Sequence, residues 1–454
     1  MHQGIRYQRA LSCVVAALVA TVLAATVGAL AQTGTPLVVM ISIDGLRPDY
    51  VTAADTRGAK IPNLRRFLTE GAFANGVVGV IPTTTYPSHT TLVTGVWPAK
   101  HGIFANTVFD PLRKNQEGWY WYAEDIRVPT LWDAASRAGL VTASIQWPAT
   151  VGARITWNIP EIWRANTAED AKLVRAVSTP GLLQDLEREL GPYDRSLEVE
   201  ADDQRTRFAI RLLETKRPSL LTLHLVALDH TQHETGSGSP ETLAVLERLD
   251  SAVGRLREAA ERLSPGRAWI AVVSDHGFVR TDAQLNLVSA FRSAGLFTVD
   301  GDGRISDWKA MPWASGGSVA IVLKDPTDKA TLTDVRNLLD TVAADPANGV
   351  DRVLDTDQLR KRGGFPPASF LVGLKPGWQT GSGLSGPVLS KRKIGGAHGH
   401  LPDLPDLYAS FFLVGPGVPA GRALGIIDMR DIAPTVAQRL GLPLPSAEGH
   451  SLLP

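Results

Sequence analysis

The chain has 454 residues, 44% of them hydrophobic and 20% charged, and its 46 basic and 46 acidic side chains leave no formal net charge. A chain of this kind can bury a large core, and its balanced charge announces no electrostatic partner, so nucleic-acid binding through a basic face is not suggested. Its single cysteine, Cys13, excludes disulfide staples and thiolate chemistry from everything that follows it.

Residues 1–31 read as a secretory signal peptide. Arg6 and Arg9 precede an apolar run over about 11–30, and Ala29-Leu30-Ala31 before Gln32 fits a small-residue cleavage site. An uncleaved membrane anchor is the competing reading, because the run is nearly long enough to span a bilayer. Cys13 has no Leu three positions before it, which argues against a lipoprotein anchor. The expectation is one exported domain over 32–454, periplasmic or secreted, with no stable membrane anchor after cleavage.

From Thr35 onward, apolar runs of strand length alternate with helical periodicity. Strands are predicted at 37–43, 77–81, 141–146, 220–227, 268–273 and 410–414, several of them apolar throughout, as in a parallel sheet covered on both faces. Leu246, Leu249, Val253, Leu256 and Ala260 mark an amphipathic helix over 240–263. The predicted fold is α/β: a doubly wound, mostly parallel sheet sandwiched by helices. An inserted cap is expected at about 280–393, with strand-like and helix-like pieces at 319–323 and 334–343 and a Gly/Pro/Ser-rich stretch at 363–396.

Three aspartates stand where apolar strands end: Asp44 after 38–43, Asp229 after 223–228 and Asp275 after 270–274. His233 follows Asp229 by four residues and His276 adjoins Asp275. Carboxylates and imidazoles gathered beyond the carboxyl ends of strands suit a hydrolytic metal centre. Thr83-Thr84-Thr85-Tyr86-Pro87-Ser88-His89 lies between a predicted strand and a helix beginning near Pro87, where a hydroxyl sits at the positive end of the helix dipole among free N–H groups. The plainer reading of any one of these threonines is a helix cap.

These segments, together with Ile43-Asp44-Gly45-Leu46-Arg47, Thr94-Gly95, His101-Gly102-Ile103, Gln146-Trp147-Pro148, Ala397-His398-Gly399 and Asp431-Ile432-Ala433-Pro434-Thr435, occur in a familiar order. They resemble the alkaline phosphatase superfamily and, within it, the nucleotide pyrophosphatase/phosphodiesterase family. The resemblance covers nearly all of 36–450. It implies Thr85 as nucleophile and Asn106 as holder of a phosphoryl oxygen. It also implies one metal on Asp229, His233 and His398, and a second on Asp44, Asp275 and His276 with the Thr85 oxygen. Ser88 and Gln232 depart from the family's usual Asn and Gly, but neither is a ligand position. His400 is the one rival to His398. Mixed imidazole and carboxylate donors suit zinc better than magnesium or calcium, so two zinc ions are expected.

The implied activity is hydrolysis of small phosphodiester or nucleotide substrates through a phospho-threonine. A sulfatase would need a modifiable residue, proline and arginine where Thr85, Pro87 and His89 stand. A phosphomonoesterase would need extra cations for a terminal phosphate; the neighbourhood instead offers Tyr86, Phe104, Trp119, Trp121 and Trp163, although Arg154 and Arg164 keep that alternative open. Tyr86 is the candidate platform for stacking on a nucleobase or other leaving group. A non-catalytic binding protein on the same fold would be expected to lack the nucleophile or a ligand, and none is missing.

Overall fold

The structure, a computed structural model, describes residues 36–115, 118–164 and 167–453. The signal-peptide expectation for 1–31 lies outside the described residues. Eight strands form the main sheet: β1 (Leu37–Ile43), β2 (Ala72–Phe73), β3 (Thr142–Ile145), β4 (Trp157–Ile159), β5 (Leu220–Leu225), β6 (Ala268–Val273), β7 (Phe411–Val414) and β8 (Arg422–Ala423). Their order is β8-β2-β7-β6-β1-β5-β3-β4. Strand β1 lies between β5 and β6 and parallel to both, β3 and β4 extend the parallel set, and β7 runs antiparallel to β6 and β2.

The apolar character of β1, interrupted only by Ser42, follows from burial on both faces. Val39, Ile41 and Ile43 join one core while Val38 and Met40 join the other. Each large aliphatic side chain so buried contributes about 1.5–3 kcal/mol. Four helices position the site: α1 (Thr85–Thr94), α2 (Val199–Lys216), α3 (Ala227–Thr235) and α4 (Pro240–Leu263). Leu246, Leu249, Val253, Leu256 and Ala260 of α4 enter the first core, whereas Leu92 and Val93 of α1 enter the second, so helices cover both faces as doubly wound packing requires. Helix α4 starts where its residues dictate: Ser239 accepts from the Thr242 N–H, and Pro240 stands at the first helical position.

Several predicted boundaries differ from the observed ones. Of 77–81 only part becomes a strand, Gly76–Val78, and it pairs with Ile426–Asp428 outside the main sheet. The run at 220–227 leaves the sheet at Leu225, and Ala227 already begins α3. The apolar residues there continue because the first turn of α3 is itself buried. Strand β4 went unpredicted: only three residues long, it is shorter than any run that hydrophobic periodicity can identify.

Between β6 and β7 the chain builds a separate four-stranded antiparallel sheet, ordered Ala310–Ser315, Ser318–Leu323, Phe370–Leu374, Val350–Asp355, with its own apolar core and the helix Lys329–Ala344. A three-stranded sheet of Gly377–Thr380, Val279–Leu285 and Leu389–Ala397 leads back to His398. The Gly/Pro/Ser-rich stretch at 363–396 therefore contains three strands.

Candidate active site

The carboxyl ends of β1 and β6 set the buried half of the site. Ser42 is in register with Val273, so Asp44 and Asp275 emerge side by side, and the Gly45 N–H donates to Asp275 Oδ1 at 3.1 Å. The i,i+4 spacing on α3 puts Asp229 and His233 on one face, with His233 Nε2 3.4 Å from Asp229 Oδ2. The start of α3 is fixed from below: Asp202, in a buried ion pair with Arg205, accepts from the Ala227 N–H at 2.8 Å. His398 arrives from the far end of the insertion. Its carbonyl accepts from the Gly317 N–H at 2.7 Å, in the turn joining two strands of the four-stranded sheet. Gly399 adopts φ +86, and a Cβ there would lie 1.8 Å from the Ser315 carbonyl oxygen, so both conformation and space demand glycine.

Two groups of possible metal-ligating atoms result, Asp229/His233/His398 and Asp44/Asp275/His276, the atoms of each lying within 4.8 Å of one another. The residues fit divalent cations by what they leave unpaired. Asp44 Oδ1, Asp275 Oδ2, His276 Nε2 and Asp229 Oδ1 are buried without a hydrogen-bond partner. The opposite ends of these side chains are tied down. The Nδ1 of His276 is 3.0 Å from the Gly277 carbonyl, that of His398 is 3.0 Å from the Thr83 carbonyl, and that of His233 is 3.1 Å from the Gly396 carbonyl. Each ring thus donates from Nδ1 and turns the Nε2 lone pair toward its group, the tautomer a metal requires. The groups adjoin, since the His276 and His398 rings stack at 3.7 Å between centroids.

Burial, then the Asp275 and Asp229 carboxylates, raises Asp44 well above the usual carboxylate range. Burial also raises Asp229, against the pull of His233. Asp275 behaves oppositely: burial pushes it up, but His276 and His89 prevail and hold it well below the usual range. This crowding of carboxylates in a dry place is what a bound cation would relieve.

Thr85 is the first residue of α1, two positions earlier than the predicted start near Pro87, and it is 9% exposed. Thr84 holds the N-cap position, yet its hydroxyl caps nothing and is buried without a partner. Free donors at this helix end are fewer than the sequence suggested. The Tyr86 N–H donates to Asn106 Oδ1 at 2.9 Å, Pro87 has none, and the Ser88 N–H donates to the Thr84 carbonyl. The bond to Tyr86 orients the Asn106 amide, whose Nδ2 lies 3.5 Å from Thr85 Oγ1. The threonine run touches both groups: the Thr83 carbonyl holds His398, and the Thr85 carbonyl holds His89 Nδ1 at 2.8 Å, itself 3.6 Å from Asp275.

Tyr86 is not a stacking platform. It is 0% exposed, packed edge-on against Trp119, and its hydroxyl faces Glu161. The half-buried aromatic surface belongs to Trp119 and to Trp163, whose ring lies 4.8 Å from that of Trp119. His400 turns away from both groups, with Nε2 2.9 Å from the Trp378 carbonyl, and burial lowers it to about 4. Gln232 replaces the expected glycine usefully: it donates to the Gly45 carbonyl at 3.0 Å and accepts from Tyr50 at 2.7 Å, bracing the loop after Asp44.

Sequence reasoning missed His89, His224 and Glu161. His224 Nε2 lies 2.9 Å from Asp44 Oδ2, and Glu161, pushed up to about 8 chiefly by burial, lies 3.9 Å from the other ring nitrogen of His224. The available signal was a polar residue interrupting each apolar stretch, His224 inside β5 and Glu161 after the apolar Ile159-Pro160.

The family model described as Type I phosphodiesterase / nucleotide pyrophosphatase matches residues 38–401. Human ectonucleotide pyrophosphatase/phosphodiesterase family member 1 is 26% identical over 252 residues, 54% of this chain and 24% of that protein. Venom phosphodiesterase 2 of Crotalus adamanteus is 25% identical over 275 residues, 58% of this chain and 30% of that protein. The chain thus spans about a quarter to a third of the length of these curated relatives. Human ectonucleotide pyrophosphatase / phosphodiesterase 5 superposes with a TM-score of 0.65 at 20% identity, covering 91% of this chain and 96% of that one. An inactive form of its murine counterpart, in complex with AMP, gives 0.64 at 20% identity, covering 92% and 97%. These likenesses show an alkaline phosphatase-like fold. With the family model matched over most of the folded chain, the protein belongs to the type I phosphodiesterase / nucleotide pyrophosphatase family.

Proposed function

We propose that this chain is an exported, zinc-dependent phosphodiesterase/nucleotide pyrophosphatase that cleaves phosphodiester or pyrophosphate bonds through a phospho-threonine at Thr85. One observation carries the reading: two adjoining Asp/His groups with unpaired ligand atoms meet a helix N-terminus that offers Thr85 beside Asn106. Two zinc ions, one per group, suit the mixed donors and would supply charge neutralisation and an activated hydroxyl near neutral pH.

The chain's own residues do the rest. Thr85 Oγ1 bonds to phosphorus as the bond to the leaving oxygen breaks and the hydroxyl proton passes to solvent; water then cleaves the phospho-threonine and restores the hydroxyl. Asn106 Nδ2, aimed by the Tyr86 N–H, donates to a non-bridging phosphoryl oxygen. His89 holds the Thr85 carbonyl and so fixes the first turn of α1. Among the described residues no Lys or Arg, Arg154 and Arg164 included, is hydrogen-bonded or ion-paired to Thr85, Asn106 or either group, which favours a diester over a dianionic monoester. Trp119 and Trp163 supply aromatic surface for the organic part of a small substrate, and the AMP held by the murine neighbour supports a nucleotide.

The insertion at about 280–393 serves as the cap that carries His398 into place. Export rests on the N-terminal signal pattern and on relatives that are ectoenzymes or venom proteins. No helix among the described residues is long and apolar enough to cross a membrane.

The test compares p-nitrophenol release from bis-p-nitrophenyl phosphate, p-nitrophenyl phosphate and p-nitrophenyl sulfate by zinc-loaded protein. The diester should lead the monoester in kcat/KM by at least about tenfold, roughly 1.4 kcal/mol of transition-state discrimination. A lead for the monoester would move the protein to the phosphatases, and a lead for the sulfate would move it to the sulfatases.

A further inference from the structure

His224 lies within β5 and is fully enclosed, 180 residues along the chain from Asp44, the site residue it meets. Its two nitrogens each face an oxygen, and both contacts are hydrogen bonds when the ring and Asp44 together hold two protons, one on Nδ1 and one between Nε2 and Oδ2. Nδ1 is 3.0 Å from the Gln146 carbonyl and Nε2 is 2.9 Å from Asp44 Oδ2. Asp44 thereby has one oxygen held and the other, Oδ1, unpaired and turned toward His276 Nε2 at 3.4 Å. Without the imidazole the carboxylate would be free to rotate about its Cβ–Cγ bond or to present both oxygens to a cation.

The far end of the contact is also built. Gln146 adopts φ 60, a left-handed conformation that strains a non-glycine residue. It is over-determined by its surroundings: its N–H donates to the Ile159 carbonyl at 2.8 Å, and its Oε1 accepts from Tyr193 at 2.6 Å. That conformation delivers the carbonyl that anchors His224. The chain continues through the same turn to Ala149, again left-handed at φ 55, so the turn after β3 is held out of the ordinary backbone regions at two points.

We propose that His224 is a positioning residue for the buried metal group: by holding Asp44 Oδ2, it makes Asp44 a one-oxygen ligand beside Asp275 and His276. The inference rests on the two-metal reading above and extends it to a residue that touches neither ion nor substrate. The competing explanation is that His224 only fills space and ties β5 to the Gln146 turn.

Two substitutions separate these roles. In His224→Asn the amide can imitate Nδ1 and keep the Gln146 contact but is too short for Asp44; in His224→Gln the amide reaches the Nε2 position and restores the Asp44 contact. The experiment uses full-length protein loaded with zinc alone and follows release of each ion to a chromophoric chelator, with thermal melts of the metal-free forms alongside. His233→Ala, which disables the other group, identifies which release phase belongs to the buried one. His224→Asn should loosen the buried ion by about ten- to a hundredfold and leave the second unchanged, while His224→Gln returns to within about threefold of wild type. His224→Asn releasing both ions at wild-type rates, or both substitutions loosening the buried ion equally, or equal loss of melting temperature with unaltered release, overturns the positioning role. Wild-type protein that retains no zinc would overturn the metal reading and this inference together, whereas wild-type retention with an unaffected Asn variant overturns this inference alone.

Discussion

The two halves of the site are built from different materials. Asp44, Asp275 and His276 stand at the ends of adjacent parallel strands, are fully enclosed, and have their far atoms held by the sheet itself or by a neighbour rooted in it. Asp229, His233 and His398 come from one helix turn and from the end of a long insertion, and the His233 side chain is 42% exposed. A sheet fixes positions through many shared hydrogen bonds, whereas a helix end and a returning loop depend on a few particular contacts. The buried half is therefore the rigid half, and the outer half is where solvent, substrate and mutation gain access. Thr83-Thr84-Thr85 joins them, with a carbonyl on each side.

The largest expected effect removes the group that both halves serve. Thr85→Ala should lower diester turnover by at least about 10³-fold, the scale of a lost group acting in the transition state, while both zinc ions stay bound because the Asp/His sets are intact. Thr85→Ser should retain measurable activity. Steady-state kinetics paired with metal analysis checks this, and near-normal turnover of Thr85→Ala would remove Thr85 as nucleophile.

Next in size is a test confined to the outer half. His398→Ala should cost about 100-fold in rate and one bound ion, whereas His400→Ala should remain active, since the His400 ring bonds to the Trp378 carbonyl and faces neither group. Metal content and kcat/KM of the two variants read the outcome directly. The reverse result would break the division of the site drawn above.

Acid should strip ions from either half, so acid loss of the fold itself has to be separated from it. His101 lies away from both groups, with Nδ1 accepting from the Ile103 N–H and Nε2 beside Thr91 Oγ1. Burial lowers it to about 3, only partly offset by a backbone carbonyl. Its folded form is neutral while the unfolded form takes up a proton below about 6.5, so stability is present above that pH and falls as pH drops toward 3. Between pH 7 and pH 5 this amounts to roughly 2 kcal/mol. Denaturant melts of metal-free protein should show that slope, and His101→Asn should flatten it; an unchanged slope would place the acid lability elsewhere.

The buried half was legible in the sequence because strand ends announce themselves: a largely apolar run closed by Asp is a local pattern, and β1 and β6 were read with their observed limits. The outer half was only partly legible. Asp229 and His233 carry helical spacing, but His398 follows a glycine-rich stretch whose strands have no apolar alternation, and only the family order singled it out. What holds the ligands was legible only as a polar residue interrupting an apolar stretch, at His224 and Glu161. His89, His224, Gln146 and Glu161 meet through the register of β1 against β5 and through a left-handed turn, and neither leaves a spacing in one dimension. Tyr86 misled for a related reason: an aromatic residue beside a nucleophile looks the same in sequence whether its ring lines the cleft or lies beneath it, and here it lies beneath.

The smallest effect separates two adjacent threonines that the sequence could not rank. Both are buried, and both could have capped α1. The Thr83 hydroxyl donates to the His400 carbonyl at 2.8 Å, and its own carbonyl receives His398, so its side chain tightens the loop that delivers the outer ligand. Thr83→Ala should cost about 1–2 kcal/mol by leaving the His400 carbonyl unpaired, and should loosen the outer ion while sparing the buried one. The Thr84 hydroxyl is enclosed with no partner, so the folded state already bears the cost of stripping it of water. Thr84→Ala removes that cost along with a few packing contacts, and the two nearly cancel, giving a change within about 0.5 kcal/mol instead of the loss expected of a helix cap. Denaturant melts and outer-ion release from the paired variants decide the matter. Equal destabilisation of the two would mean that Thr84 caps α1 after all and that the threonine run braces the whole helix, not the outer half in particular.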